Sequence, residues 1–84
     1  MEIKNYEMEW IIMFAFRYAL GRMSMAPSIM CDVISKNKKE ISNNIIKNII
    51  YEIDTADRNN CIGNDVDRRY WLNLKKELEE MTKI

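Results

Sequence analysis

The sequence contains no histidine and has no excess of either charge, because 13 basic residues balance 13 acidic ones in a chain of 84. The absence of histidine excludes histidine-based acid–base catalysis and histidine-ligated metal sites. The balanced charge argues against general binding to nucleic acid, which is typical of strongly basic chains. We therefore expect a protein that is not an enzyme, that holds no cofactor or metal, and that does not have nucleic acid as its main partner.

Cysteine is also scarce, with one residue at Cys31 and one at Cys61. Nothing else in the sequence indicates secretion, so we expect two free thiols, although one disulfide is arithmetically possible. Cys31 falls among aliphatic residues and is expected in the core. A single domain of residues 1–84 without disulfides or metal needs well-packed helices or self-association to be stable.

A long hydrophobic run is missing as well. In the densest apolar stretch, residues 10–22, the part from 10 to 20 is about half of the roughly 20 apolar residues that a membrane span needs, and Arg17 interrupts it. The first ten residues carry mixed charges, which is not typical of a signal peptide. We expect a cytoplasmic protein with no membrane partner.

Helical periodicity is the dominant pattern in what the sequence does contain. No alternating pattern of the kind found in strands accompanies it. The sequence therefore predicts an all-α fold, a small four-helix bundle with helices at about 6–20, 25–36, 38–57 and 65–82. Side chains that favour helix N-termini stand near each predicted start; they are Asn5, Ser24, Asn37 in a capping box with Glu40, and Asn64 or Asp65.

The first predicted helix is apolar nearly all round, which is typical of a helix packed on several sides. We expect it to be the central helix. Its one internal charge, Arg17, is predicted to pair with a carboxylate, with Asp67 as the candidate; the alternatives are that it extends to water or faces a ligand. Five of the seven methionines fall between Met8 and Met30, and adaptable apolar surface of this kind favours a homodimer through helix one or two.

Three further patterns in the sequence bear on possible ligands. The aspartates at 54, 57, 65 and 67 do not fit an EF-hand loop, because the required glycine position holds Ile62. A helix-turn-helix of helices two and three would present a polar helix face to DNA, formed by Asn43, Asn44, Lys47 and Asn48. A helical sponge for a small anionic nucleotide would use Arg17, Arg22 and Arg68. The last two remain alternatives.

Two segments, FRYALGR at 16–22 and GNDVDRRYW at 63–71, carry a resemblance. They resemble small uncharacterised proteins carried by bacteriophages and mobile elements of AT-rich Gram-positive bacteria. The resemblance covers these two parts of the chain and implies a phage-encoded accessory protein. Such proteins are often inhibitors of bacterial defence, including anti-CRISPR proteins that bind an effector complex in the host cytoplasm.

We therefore predict a phage-encoded inhibitor that binds a bacterial defence effector protein stoichiometrically and catalyses nothing. Arginine and aromatic side chains contribute most of the binding energy at protein interfaces. The predicted partner-binding residues join the end of helix one to the start of helix four; they are Arg17, Tyr18, Arg22, Asp65, Arg68 and Trp71.

Overall fold

The computed structural model describes residues 5–22 and 25–82, and within these ranges it contains four α-helices and no strand. The prediction of an all-α four-helix fold is confirmed. The helices are α1 (Asn5–Leu20), α2 (Met25–Asn37), α3 (Asn43–Arg58) and α4 (Asp65–Met81), with a 3₁₀ turn at Lys38–Glu40. In the part of the chain that the structure describes, no helix is long and apolar enough to cross a membrane.

The helices form a ring in which α1 packs against α2 and α3, and α4 packs against the same two helices. The backbone N–H of Ser42, just before α3, donates to Glu9 in the second turn of α1 at 2.7 Å, so these two helices start at the same end. Lys38, just after α2, donates from Nζ to Glu77 Oε1 near the end of α4 at 2.9 Å. Helices α2 and α4 therefore end where α1 and α3 start. The end of α1 and the start of α4 therefore share the opposite end of the bundle.

Isoleucine is the commonest residue in the core. The side chains that are entirely inaccessible to solvent include Phe16, Ile34, Ile46, Ile49, Ile53, Trp71 and Leu78. Phe16 of α1 and Trp71 of α4 meet across the bundle, edge to face, with ring centroids 5.5 Å apart. This arrangement is a favourable one for aromatic pairs, and it ties together the two helices that lie diagonally.

The start of α3 differs from the prediction. No capping box forms at Asn37, because this residue is still in the last turn of α2 and its side chain donates to the carbonyl of Val33 at 2.8 Å. The chain then makes the 3₁₀ turn, and Ser42 caps α3 by accepting from the N–H of Ile45 at 3.4 Å. Helix three is therefore shorter than predicted at its start.

The other predicted helix starts fare differently. Asn64 caps α4, as predicted, by accepting from the N–H of Asp67 at 2.9 Å. Helix α1 begins at Asn5, one residue earlier than expected. The predicted cap at Ser24 lies outside the described residues.

Helix α1 is not the central helix, which corrects the prediction. Its buried side consists of Ile12, Met13, Phe16 and Ala19. On the other side, Trp10, Phe14 and Tyr18 are 62%, 65% and 65% exposed. The physical reason is that each helix of a four-membered ring has only two close neighbours, so one chain cannot cover α1 all round.

Candidate functional site

The six residues predicted to bind a partner do not form one surface. Trp71 is completely buried against Phe16, so its side chain is a core residue and cannot contact a partner directly. Trp71 was predicted to bind a partner because aromatic residues contribute much of the energy at interfaces, but here the same residue type fills the core. The other five are exposed, but they lie in three different surroundings.

Arg17 pairs with a carboxylate, but its partner is Glu52 of α3 and not the predicted Asp67. The Arg17 Nε lies 3.2 Å from Glu52 Oε1, and 59% of the arginine side chain stays exposed. Asp67 is instead buried in the first turn of α4, only 2% exposed. An exposed pair of this kind contributes little to stability, so Arg17 mainly orders the outer edge of the α1–α3 contact.

Tyr18 and Arg22 lie together at the end of α1. The Arg22 guanidinium stands over the Tyr18 ring, 4.7 Å from its centroid. A cation in this position is attracted by the electron-rich face of the ring. The contact orients two exposed side chains of the types that contribute most to protein interfaces.

Asp65 and Arg68 lie at the start of α4, beside the loop from α3. Arg68 donates from Nε to Asp57 Oδ1 at 2.6 Å and from Nη2 to Oδ2 at 3.4 Å. The hydrogen bond and charge of Arg68 hold the pKa of Asp57 below its usual range. This forked pair closes the loop and gives Arg68 a fixed direction. The cleft beside it, about 320 Å³ in volume, is lined by loop residues together with Asp57, Asp65 and Arg68.

A larger feature that the predicted residues only touch is a group of exposed apolar side chains on α1 and α2, here called the α1–α2 face. Its exposed members are Trp10, Ile11, Phe14 and Tyr18 of α1, and Met25, Ile29 and Val33 of α2. Between the two helices runs a shallow groove of about 430 Å³ lined by apolar side chains and Ala15, Ala19 and Ala26. The Trp10 and Phe14 rings lie 5.7 Å apart and form a ridge beside it.

One signal in the sequence could have identified this face. Residues 12, 13, 16 and 19 already form a complete inward stripe on α1. The second stripe, at 10, 14 and 18, is therefore surplus to one four-helix core.

A second exposed surface covers the first two turns of α4 and is called the α4 outer face. It consists of Asp65, Val66, Arg68, Arg69 and Tyr70, all exposed. The apolar Val66 is 60% exposed, and the aromatic Tyr70 is 45% exposed. This surface mixes charge of both signs with aromatic and apolar area, in contrast to the α1–α2 face.

The described residues are not arranged as either the nucleotide hypothesis or the helix-turn-helix hypothesis requires. The three arginines of the nucleotide hypothesis are engaged separately, Arg17 with Glu52, Arg22 with Tyr18 and Arg68 with Asp57, so they do not converge on one phosphate. The helix-turn-helix hypothesis needs helices two and three to pack together, whereas α2 and α3 lie across the ring from one another. The polar residues of α3 are exposed, as on any solvated helix face.

Comparisons with protein-family models, with curated proteins and with solved structures find no match to this chain.

Proposed function

We propose that this protein acts by stoichiometric binding to another protein and does not catalyse a reaction. The observation that carries this proposal is the placement of the aromatic residues. The chain has two tryptophans, four tyrosines and two phenylalanines, and only Phe16 and Trp71 are in the core. The remaining six are exposed, and aromatic side chains are enriched where proteins bind one another.

The α4 outer face is the surface we assign to the partner. Interfaces that form and dissociate are about as polar as the rest of a protein surface and are enriched in arginine and tyrosine. Arg68 is held in place by Asp57, so less side-chain entropy is lost when it binds. Tyr70 and Val66 supply apolar area beside it.

A narrower proposal concerns the biological setting. The resemblance of segments 16–22 and 63–71 to phage and mobile-element proteins supports a phage-encoded inhibitor of bacterial defence, similar to an anti-CRISPR protein, acting in the host cytoplasm. The second of these segments includes the whole α4 outer face. The bacterial target would then be a subunit of a defence effector.

The binding proposal is tested by affinity capture from a lysate of a defended bacterial host. We expect one host protein in a fixed ratio to the bait, and we expect Arg68→Ala and Tyr70→Ala each to reduce its capture at least tenfold, as truncation of an interface anchor does. Lys76→Ala, at an exposed position further along α4, is the matched control. Equal capture by all three variants would refute the assignment of the α4 outer face.

The narrower proposal needs a separate experiment. Phages with and without the gene are plated on hosts that carry a defence system and on hosts that lack it. The gene should raise plating efficiency only on defended hosts. A gain that is the same on both hosts, or no gain on any defended host, would refute the role as a defence inhibitor while leaving protein binding intact.

A further inference from the structure

The α1–α2 face is too large and too apolar to be left to solvent. Because an aromatic side chain presents about 150–250 Å², the exposed parts of Trp10, Phe14 and Tyr18 amount to roughly 400 Å², and the four aliphatic residues of the face add to this. Contiguous apolar patches on monomeric proteins rarely exceed a few hundred Å². Each partner in a standard interface buries about 800 Å², so the three aromatic residues alone supply about half of the area that one subunit of a stable dimer needs, and the aliphatic residues extend it further.

The composition of the face indicates what covers it. Its seven members are all aliphatic or aromatic, and the exposed Asp32 and Lys36 of α2 pair with each other within that helix. Interfaces between identical subunits are more apolar than those between proteins that also exist apart. The face therefore fits a second copy of this chain better than a transient partner, and the mixed α4 outer face fits the transient partner better.

The shape of the face is complementary to itself. A ridge formed by Trp10 and Phe14 runs beside the groove between α1 and α2, and alanines form part of the floor of that groove. In a twofold dimer the same patch is used by both subunits. The ridge of each subunit can then fill the groove of the other, which satisfies both features in a single contact.

We infer that this protein is a twofold homodimer in which the α1–α2 faces of two subunits pack together. The dimer leaves both α4 outer faces at the surface, because α4 lies across the bundle from α1. The inference stands on the α1–α2 face alone and does not depend on the identity of any target.

The association is tested by sedimentation equilibrium of the purified chain over a dilution series. We expect a mass twice the 10.1 kDa of the single chain. Phe14→Glu should weaken dimerisation about 1,000-fold, because the substitution occurs twice per dimer and each lost anchor weakens binding about 30-fold. Phe14 is exposed, so the variant should keep its helical circular dichroism.

Tyr51→Glu is the matched control, since Tyr51 has the same 65% exposure as Phe14 but lies on α3, outside the α1–α2 face. We expect it to remain dimeric. A wild-type chain that is folded and monomeric throughout the series would overturn the inference, and so would equal weakening by the two variants. Capture of a host protein is a separate readout, so either proposal can fail alone.

Discussion

The two cysteines show how position alone changes the chemistry of one residue type. Cys31 is buried in α2 and Cys61 is exposed in the loop after α3. Burial, together with the nearby charge of Asp67, raises the pKa of the Cys31 thiol to about 12. The reactive form of a cysteine is the thiolate, so Cys31 remains a protonated, inert core residue.

We expect an alkylating reagent such as iodoacetamide to modify the native protein once, at Cys61, under mildly alkaline conditions. The raised pKa of Cys31 leaves almost no thiolate there, and its burial blocks access. Mass spectrometry after native labelling checks this, and labelling in denaturant should modify both residues. Rapid modification of Cys31 in the native protein would contradict the packing of α2.

A second residue-scale prediction concerns Trp71, whose side chain is fully buried against Phe16. Trp71→Ala should lower the free energy of unfolding by about 3–5 kcal/mol, because it removes a large core side chain and leaves a cavity. Urea denaturation followed by circular dichroism measures the change. Tyr51→Ala, at an exposed aromatic, should change it by less than about 0.5 kcal/mol; similar losses in both variants would contradict the assignment of Trp71 to the core.

At the scale of elements, the presence of each helix could be predicted from the sequence. The residues at which the helices begin could be predicted only in part. The isoleucine period of α3 and the asparagine cap of α4 were sufficient, because both act within a few neighbouring residues. The start of α3 was not predictable in this way. Asn37 and Ser42 are both capping residues by type, and tertiary contacts decide between them: Glu9 of α1 binds the backbone of Ser42.

This outcome predicts different effects for two similar substitutions. Ser42→Ala should lower the free energy of unfolding by about 0.5–2 kcal/mol, because the first turn of α3 loses its capping oxygen. Asn37→Ala should cost less, because Asn37 caps no helix and only bonds the carbonyl of Val33. Thermal or urea unfolding of both variants makes the comparison. A larger loss for Asn37→Ala would instead favour the longer helix from residue 38.

The candidate site was harder to predict than the helices for a similar reason. The aromatic residues of α1 were visible in the sequence, but periodicity does not say how many neighbours a helix has. Trp10 and Phe14 are therefore predicted to be buried in the core but are exposed, whereas Trp71 is predicted to be exposed but is buried. Which face of an apolar helix is covered depends on the ring of packed helices, and that is a property of the whole chain.

At the scale of the whole molecule, ion pairs join separate elements of the bundle. They include Arg17 with Glu52, Lys38 with Glu77, and Lys75 with Asp54. Glu77 also accepts from Ser35 at 3.0 Å, so it connects α4 to both α2 and the 3₁₀ turn. Its pKa is lowered, first by the hydrogen bond from Lys38.

The lowered pKa of Glu77 gives the bundle a defined dependence on pH. A carboxylate whose pKa is lower in the folded state stabilises the fold above its unfolded pKa of about 4.3. That stabilisation is lost as the pH falls through the folded pKa. We expect the melting temperature to decrease below about pH 4.3, and we expect Glu77→Gln to reduce that decrease, because the variant has no carboxylate to protonate at this position.

Thermal unfolding at a series of pH values measures this effect, with Glu80→Gln as the control at an exposed site on the same helix. The Glu77→Gln curve should retain part of the acid-induced decrease, because the pKa of Asp57 is also lowered, by Arg68. Removal of Glu77 should therefore flatten the curve without abolishing its slope. If Glu80→Gln flattened the curve as much as Glu77→Gln, the contact between the ends of α2 and α4 would not be a source of the acid sensitivity.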